Sequence, residues 1–467
     1  MAPSIFLTNA PYSLKERYGK LSPIGSNLPS LGLLMLAASL KKAGNKVRVI
    51  DASAQNLRYE RVIQEIKKFK PDLIGISAVT PSIVKTAKLA KMIKNIYPSI
   101  PIVIGGAHFT ALPEKTLLDF PYFDYGIIGE GEETIVELVE TLSANRNPLE
   151  VDGVAFCKDG KIYLGQKRDV IENLDSLPFP AWELLEGFPY RYNPAIFKYK
   201  KLPSTHIVSA RGCPNKCIFC DNSVFGNSIR FHSAEYVVEM VKYLVKNFKI
   251  KDIIFEDDQF LINKERIEKI CTGFLKYKLN ISWSCSGRVN SINDISLLKL
   301  MKKSGCWLIN YGIESGNQKI LDFAKKSITL SQIEKAVQLT HKVGILSKGY
   351  FIFGFPGETE KTMKNTIKFA KKLPLSDISI FMLTPFPGSE IYNIAKNYGE
   401  IEENFEKMNI LNVVYVPKGL SKKILIKYQK QFVIKFYFRI YIIINYFKRF
   451  LINPKNVFRI LKSLLFF

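Results

Sequence analysis

The chain has 467 residues, 47% of them hydrophobic, which suffices for two or three domains with ordinary buried cores. Its 67 basic and 42 acidic residues leave a net charge of +25, but lysine is scattered through every segment, so much of the excess reads as solvated surface and nucleic acid is not an expected partner. Seven cysteines, three of them clustered, exclude a disulfide scaffold, and Ile5-Phe6-Leu7 is too short and lacks the basic flank of a signal peptide, so a reducing cytoplasm is expected.

Residues 1–145 alternate strands and helices. Ile5–Thr8, Val47–Asp51, Leu73–Ser77, Ile102–Gly106 and Tyr125–Ile128 read as strands. Between them lie helices from about Ser30 to Ala43, across Tyr59–Phe69 and from Ser82 to Tyr97, with another starting near Glu132. Leu73-Ile74-Gly75-Ile76-Ser77 has no polar alternation, as expected for a strand covered on both faces. The pattern predicts a doubly wound, Rossmann-like parallel sheet with its ligand beyond the carboxyl ends of the strands. Those ends carry Ser77 to Thr80, Gly105-Gly106-Ala107-His108 and Gly129-Glu130-Gly131-Glu132, and no G-x-G-x-x-G follows the first strand, which disfavours a dinucleotide.

Residues 146–200 form a connector. Asp159-Gly160 between Gly153–Phe156 and Ile162–Leu164 signals a hairpin, and Pro178 and Pro180 stiffen an extended linker. Residues 201–395 alternate six strands with helices, the strands near 206–210, 252–256, 282–287, 307–312, 348–353 and 378–383. Six units are too few for a closed eight-stranded barrel, so a partial (β/α)6 barrel is expected, with its site at the strand ends. Residues 396–467 form a helical extension. From Ile424 it is apolar, aromatic and basic, and its longest unbroken apolar run, 440–444, is far short of a span. That composition fits either an interfacial helix making peripheral membrane contact or a helix packed on the barrel, with a slight preference for the membrane.

The chemistry concentrates in Arg211-Gly212-Cys213-Pro214-Asn215-Lys216-Cys217-Ile218-Phe219-Cys220. Three thiolates at C-x3-C-x2-C spacing can hold three irons of a [4Fe-4S] cube and leave the fourth open to a substrate. Structural zinc would require a fourth ligand and a second C-x2-C pair, which the isolated Cys271, Cys285 and Cys306 do not supply.

This spacing, with Phe219 before the third cysteine, resembles the radical S-adenosylmethionine (SAM) superfamily. Phe255-Glu256-Asp257-Asp258, Gly312–Gly316, Gly349–Glu358 and Thr384–Ser389 extend the likeness over about residues 200–395. The resemblance implies a [4Fe-4S] cluster on Cys213, Cys217 and Cys220, with SAM chelated by the open iron and cleaved to a 5′-deoxyadenosyl radical. Glu256 and Asp257 are then expected near the SAM ammonium and Arg288 at its carboxylate. Glu314 falls near the ribose or ammonium, and Gly354 and Gly357 fall where backbone approaches adenine. Residues 71–77, 104–108 and 129–134 make the N-terminal segment similar to the cobalamin domain of B12-dependent radical SAM enzymes. The residues expected around cobalamin are Ser77, Thr80, Gly105, Gly106, His108, Gly129, Glu130 and Gly131. The D-x-H-x-x-G cobalt motif is absent, and His108 is the one histidine in these loops.

The implied activity is methyl transfer to an unactivated carbon, with oxidative cyclisation of a porphyrin ester as the alternative on the same architecture. A tRNA methylthiotransferase would need further N-terminal cysteines, and none occurs in the first 150 residues. A non-catalytic cobalamin sensor would not need the cysteine triad. Expected partners are a small molecule, lipid-like or isoprenoid given the tail, and a flavodoxin- or ferredoxin-type electron donor.

Overall fold

The computed structural model describes residues 2–440 and Ile442. A first sheet is built from β1 (Ser4–Asn9), β2 (Lys46–Ile50), β3 (Leu73–Ser77), β4 (Ile102–Gly105) and β5 (Tyr125–Ile127), parallel in the order β2-β1-β3-β4-β5. The hairpin β6 (Val154–Lys158) and β7 (Lys161–Leu164) adds to its edge antiparallel. The hairpin read as part of the connector is therefore the end of the first sheet. β3 is buried along nearly its whole length because helices cover both faces, which is why its sequence lacks alternation.

A second sheet follows, with the short β-ribbon of β9 (Ala210–Arg211) and β10 (Arg230–Phe231) inserted after its first strand. It comprises β8 (Ser204–Ile207), β11 (Asp252–Phe255), β12 (Ser282–Gly287), β13 (Cys306–Glu314), β14 (Leu346–Phe353) and β15 (Asp377–Met382), all parallel, in the order β15-β14-β13-β12-β11-β8. This is the expected partial barrel. Its two faces differ in exposure. Ile253, Phe255, Trp283, Cys285, Tyr311, Phe351 and Phe353 pack outward in the helix-covered core, and Tyr311 shares a hydrogen bond with Thr340. His206, Glu256, Ser286, Gly312, Tyr350 and Phe381, on the opposite face, stay partly exposed and line the concave interior.

The two sheets share one apolar core. It runs from Leu33, Leu34 and Leu138 beside the first sheet, through Trp182 of the linker, to Val237 and Leu244 on a barrel helix. Polar contacts reinforce the junction: His206 Nε2 meets the Pro29 carbonyl at 2.8 Å, and Gln55 donates to the Tyr192 hydroxyl at 2.6 Å. The proline-stiffened linker thus serves as packing material between the two sheets.

Beyond the barrel, residues 402–413 run back over the first domain. Met382 donates to the Ile410 carbonyl at 2.9 Å, and the Phe405 ring lies edge-on to His108, centroids 4.9 Å apart. The helix Lys422–Tyr437 starts at the Ser421 cap and buries Leu425, Tyr428, Phe432 and Phe436. Phe432 packs on Phe351 and Phe353, with centroids at 4.9 and 5.7 Å. Tyr428 donates to Glu360 at 2.6 Å, and Arg439 donates to the Lys371 carbonyl at 2.8 Å. The preference for a membrane-facing helix is therefore corrected for this part of the tail: its aromatic face seals the barrel. The apolar run 440–444 and the segment 460–467 lie, apart from residues 440 and 442, outside the described residues. Among the described residues no helix is long and apolar enough to cross a membrane.

Phe432→Ala should therefore destabilise the protein by about 3–5 kcal/mol, the usual cost of emptying a buried phenylalanine site, as measured by urea unfolding of the full chain. A change below about 1 kcal/mol would mean that the helix is not part of the barrel core.

Candidate active site

The three cysteines sit on the loop between β9 and β10, at the carboxyl end of β8. Gly212 enters it at φ +83, and a Cβ there would lie 2.0 Å from the Ser228 carbonyl oxygen, so only glycine fits. Cys217 is buried, Cys213 half-buried and Cys220 exposed. The Asn215 amide donates to Cys213 Sγ at 3.3 Å, and Arg288 Nη1 donates to Cys217 Sγ at 3.3 Å. A hydrogen bond from the Cys220 thiol lowers the Cys217 pKa, against the opposing effect of burial, with Lys326 and Arg288 adding positive charge. Among the described residues no three His, Cys, Asp or Glu side chains are grouped to hold a metal ion. A cubane requires no such convergence, because each thiolate takes its own iron.

Around this loop the structure sorts the expected SAM residues. Arg288 is buried, and its Nε and Nη2 have no hydrogen-bond partner. Leaving two guanidinium donors dry is costly, so their environment fits an anionic group. Glu314, at φ +61, is buried and paired with Lys326 at 2.7 Å; Lys326 also lies over the Phe219 ring at 5.7 Å. Glu314 thus fixes a lysine beside the cysteines. Asp257 differs from expectation: both of its oxygens are taken by Ser209, from the backbone N–H and the hydroxyl at 2.5 Å each. It ties the end of β8 to the end of β11. The open carboxylate here is Asp258, exposed and without a hydrogen bond among the described residues, yet crowded enough that burial raises its pKa. Glu256 points into the barrel and meets Lys198 of the linker at 3.3 Å. Burial opposes both charges, but their pairing outweighs it and holds each ionised.

Gly354 (φ +99) and Gly357 (φ +77) require glycine conformations at the end of β14, and space around Gly357 is open. The Gly354 N–H donates to Glu358 at 2.6 Å. Glu358 is 1% exposed, its second oxygen lacks a partner, and burial pushes its carboxyl up to about 8. It is therefore protonated at neutral pH.

In the first domain, Gly106 (φ +100) allows the loops after β3 and β4 to touch: a Cβ there would stand 2.6 Å from the Ala78 carbonyl and 3.0 Å from Ser77 Oγ. Gly105 packs beside β5 with ordinary clearance, Gly129 (φ +81) faces open space, and Gly131 caps the helix Glu132–Ser143. Thr80 Oγ1 meets His108 Nδ1 at 3.2 Å. His108 is 1% exposed, and burial lowers it to about 4, so the ring is neutral. Enclosed by Thr80 and Phe405, it is placed as a hydrogen-bonding neighbour of this face.

Glu130 departs furthest from expectation. Its carboxylate is taken up within the protein: it accepts from Arg211 at 2.6 Å, from Arg230 at 2.7 Å and from the Ile171 N–H at 2.8 Å. Glu132 accepts from Arg211 at 2.5 Å. Sequence reasoning missed this cluster, although Arg211 stands two residues before Cys213. It also missed Lys198, Lys326 and Glu358. For Lys198 no local signal existed, because a linker lysine looks like any surface lysine.

A partial barrel with three thiols at its strand ends, joined to a doubly wound α/β domain, defines a radical-SAM-type enzyme with an added cofactor domain. Residues 21–139 match the B12 binding domain family and residues 207–370 the Radical SAM superfamily. The chain is 36% identical over 419 residues to an uncharacterized methyltransferase of Pyrococcus horikoshii, covering 89% of each. It is 31% identical over 405 residues to the anaerobic magnesium-protoporphyrin IX monomethyl ester cyclase of Rubrivivax gelatinosus, covering 85% of this chain and 72% of that protein. Its fold is similar to that of the radical SAM methyltransferase TsrM of Kitasatospora setae, solved with cobalamin and a [4Fe-4S] cluster. The TM-score is 0.70 at 18% identity, covering 85% of this chain and 75% of that one. The chain belongs to the cobalamin-binding radical SAM enzymes.

Glu358 sets a pH signature. Its folded pKa of about 8 exceeds the ordinary 4.5, so its contribution is complete below pH 4.5 and is lost as pH rises towards 8. Glu358→Gln should flatten the fall in thermal stability between pH 6 and 8. An unchanged slope would show that Glu358 is ionised in the fold.

Proposed function

We propose that this chain is a cobalamin-dependent radical SAM methyltransferase acting on an unactivated carbon. The observation that carries the reading is the cysteine loop at the barrel mouth, with two unmet Arg288 donors beside Cys217. When bound, the cluster and SAM supply a carbon-centred oxidant, and cobalamin supplies the methyl group.

The chain's own residues bind, orient and shield. Cys213, Cys217 and Cys220 hold three irons. Arg288 offers its free donors to the SAM carboxylate, a planar fork suited to that geometry. Asp258, rather than Asp257, offers an open acceptor to the SAM ammonium. Gly354 and Gly357 leave backbone accessible for adenine. Ser77, Thr80, Gly105, Gly106 and Gly129 shape the cobalamin face of the first domain. His206, Glu256, Ser286, Tyr350 and Phe381 line the interior that receives substrate. The kinship to the cyclase of Rubrivivax gelatinosus favours oxidative cyclisation as the second reading. A flavodoxin- or ferredoxin-type donor would deliver the electron. The basic and aromatic composition beyond Arg439 supports a lipid-like substrate and peripheral membrane contact.

After anaerobic reconstitution, Cys213→Ala, Cys217→Ala and Cys220→Ala should each lose the cluster absorbance and SAM cleavage, while Cys271→Ala and Cys306→Ala keep both. SAM cleavage by the Cys217 variant would overturn the assignment. In the active enzyme, isotope from the SAM methyl group should appear in product; product formation without that label would favour cyclisation.

A further inference from the structure

The cysteine loop is closed at its neck by a short ribbon. β9 and β10 pair antiparallel with Arg211 directly opposite Arg230, and residues 212–229 between them carry all three cysteines. Two buried guanidiniums facing each other across a ribbon repel. Both are about one-twentieth exposed, so water does not screen them.

An anion from the other domain holds the neck shut. Glu130, on the loop after β5, gives one oxygen to each arginine: Oε1 to Arg211 Nη1 and Oε2 to Arg230 Nη1. Glu132 takes the second Arg211 amino group. Arg230 then reaches the Phe225 carbonyl inside the loop at 3.0 Å, and the Cys213 N–H meets the Gly226 carbonyl at 3.5 Å. A chain of contacts thus runs from Glu130 through the arginine neck to the first cysteine. Two carboxylates balance two guanidiniums in charge, as buried charges require.

We propose that Glu130 is a positioning residue that closes the cluster loop from the N-terminal domain, so that the cluster site is assembled only when the two domains are docked. The Glu130 carboxylate acts through Arg211 and Arg230. The inference rests on the cluster assignment above and extends it to the domain that does not hold the cluster.

The test uses the full chain, reconstituted anaerobically with iron and sulfide, then desalted and assayed for iron, for cluster absorbance and for retained hydroxocobalamin. Glu130→Ala should lose more than about half of the bound iron, because removing one partner of a buried charge network leaves the others uncompensated. Hydroxocobalamin retention should stay at the wild-type level. Adding Arg230→Met to Glu130→Ala removes the facing charge and should restore iron. If Glu130→Ala does not fold, Glu130→Gln serves in its place: iron should fall, and Arg230→Met should restore it. Full iron in the Glu130 variant, loss of hydroxocobalamin with iron intact, or no restoration by Arg230→Met would each overturn the inference. A wild-type chain that takes up no iron would remove the cluster assignment itself, and this inference with it.

Discussion

The buried quartet of Glu130, Glu132, Arg211 and Arg230 is the constraint around which the rest of the molecule is arranged. Its members come from two domains and meet with almost no exposed surface. Burying four charges is tolerable only when every one is paired and hydrogen-bonded. That condition fixes the distance between the loop after β5 and the neck of the cysteine loop. The two sheets are not independent lobes: besides the quartet, Trp182 of the linker packs in the apolar core they share.

Elsewhere in the site the pairing rule is relaxed in a patterned way. Asp257 is fully engaged by Ser209, and Glu314 by Lys326. These groups set the framework. Arg288 keeps two donors unmet, Asp258 keeps its carboxylate open, and Glu358 leaves one oxygen without a partner. For the buried Arg288 and Glu358 such unmet groups are expensive unless something binds them, and all three residues follow barrel strands, at the end where this fold presents its chemistry. Saturated groups hold the shape, and unsaturated ones keep hydrogen-bonding capacity open at the strand ends.

The C-terminal segment shows how composition misleads when packing is unknown. Phe432 and Phe436 among lysines resemble an interfacial helix, and the same pattern also suits a helix that turns its aromatic edge to the barrel and its lysines to water. Phe351 and Phe353 on β14 settle the matter, because their outward side chains need a cover and Phe432 supplies it.

The order of strands and helices, the six-unit barrel and the cysteine triad were legible in the sequence, because each rests on local periodicity or on spacing within one loop. The alternation in β14 and the unbroken apolar run of β3 already contained the two kinds of sheet face. Roles that depend on which residue meets which across the fold were not legible. Glu130 lies in a glycine-rich loop that reads as a cofactor contact, and only the docking of the two domains turns it towards Arg211 and Arg230. Asp257 and Asp258 are neighbours of one type, and the twist at the end of β11 alone decides which is sealed by Ser209 and which stays open. Lys198 gains its role only because the folded linker brings it to Glu256. Local sequence determines what each segment is; long-range contacts decide what each charged side chain is for, since a charge takes its role from its partner.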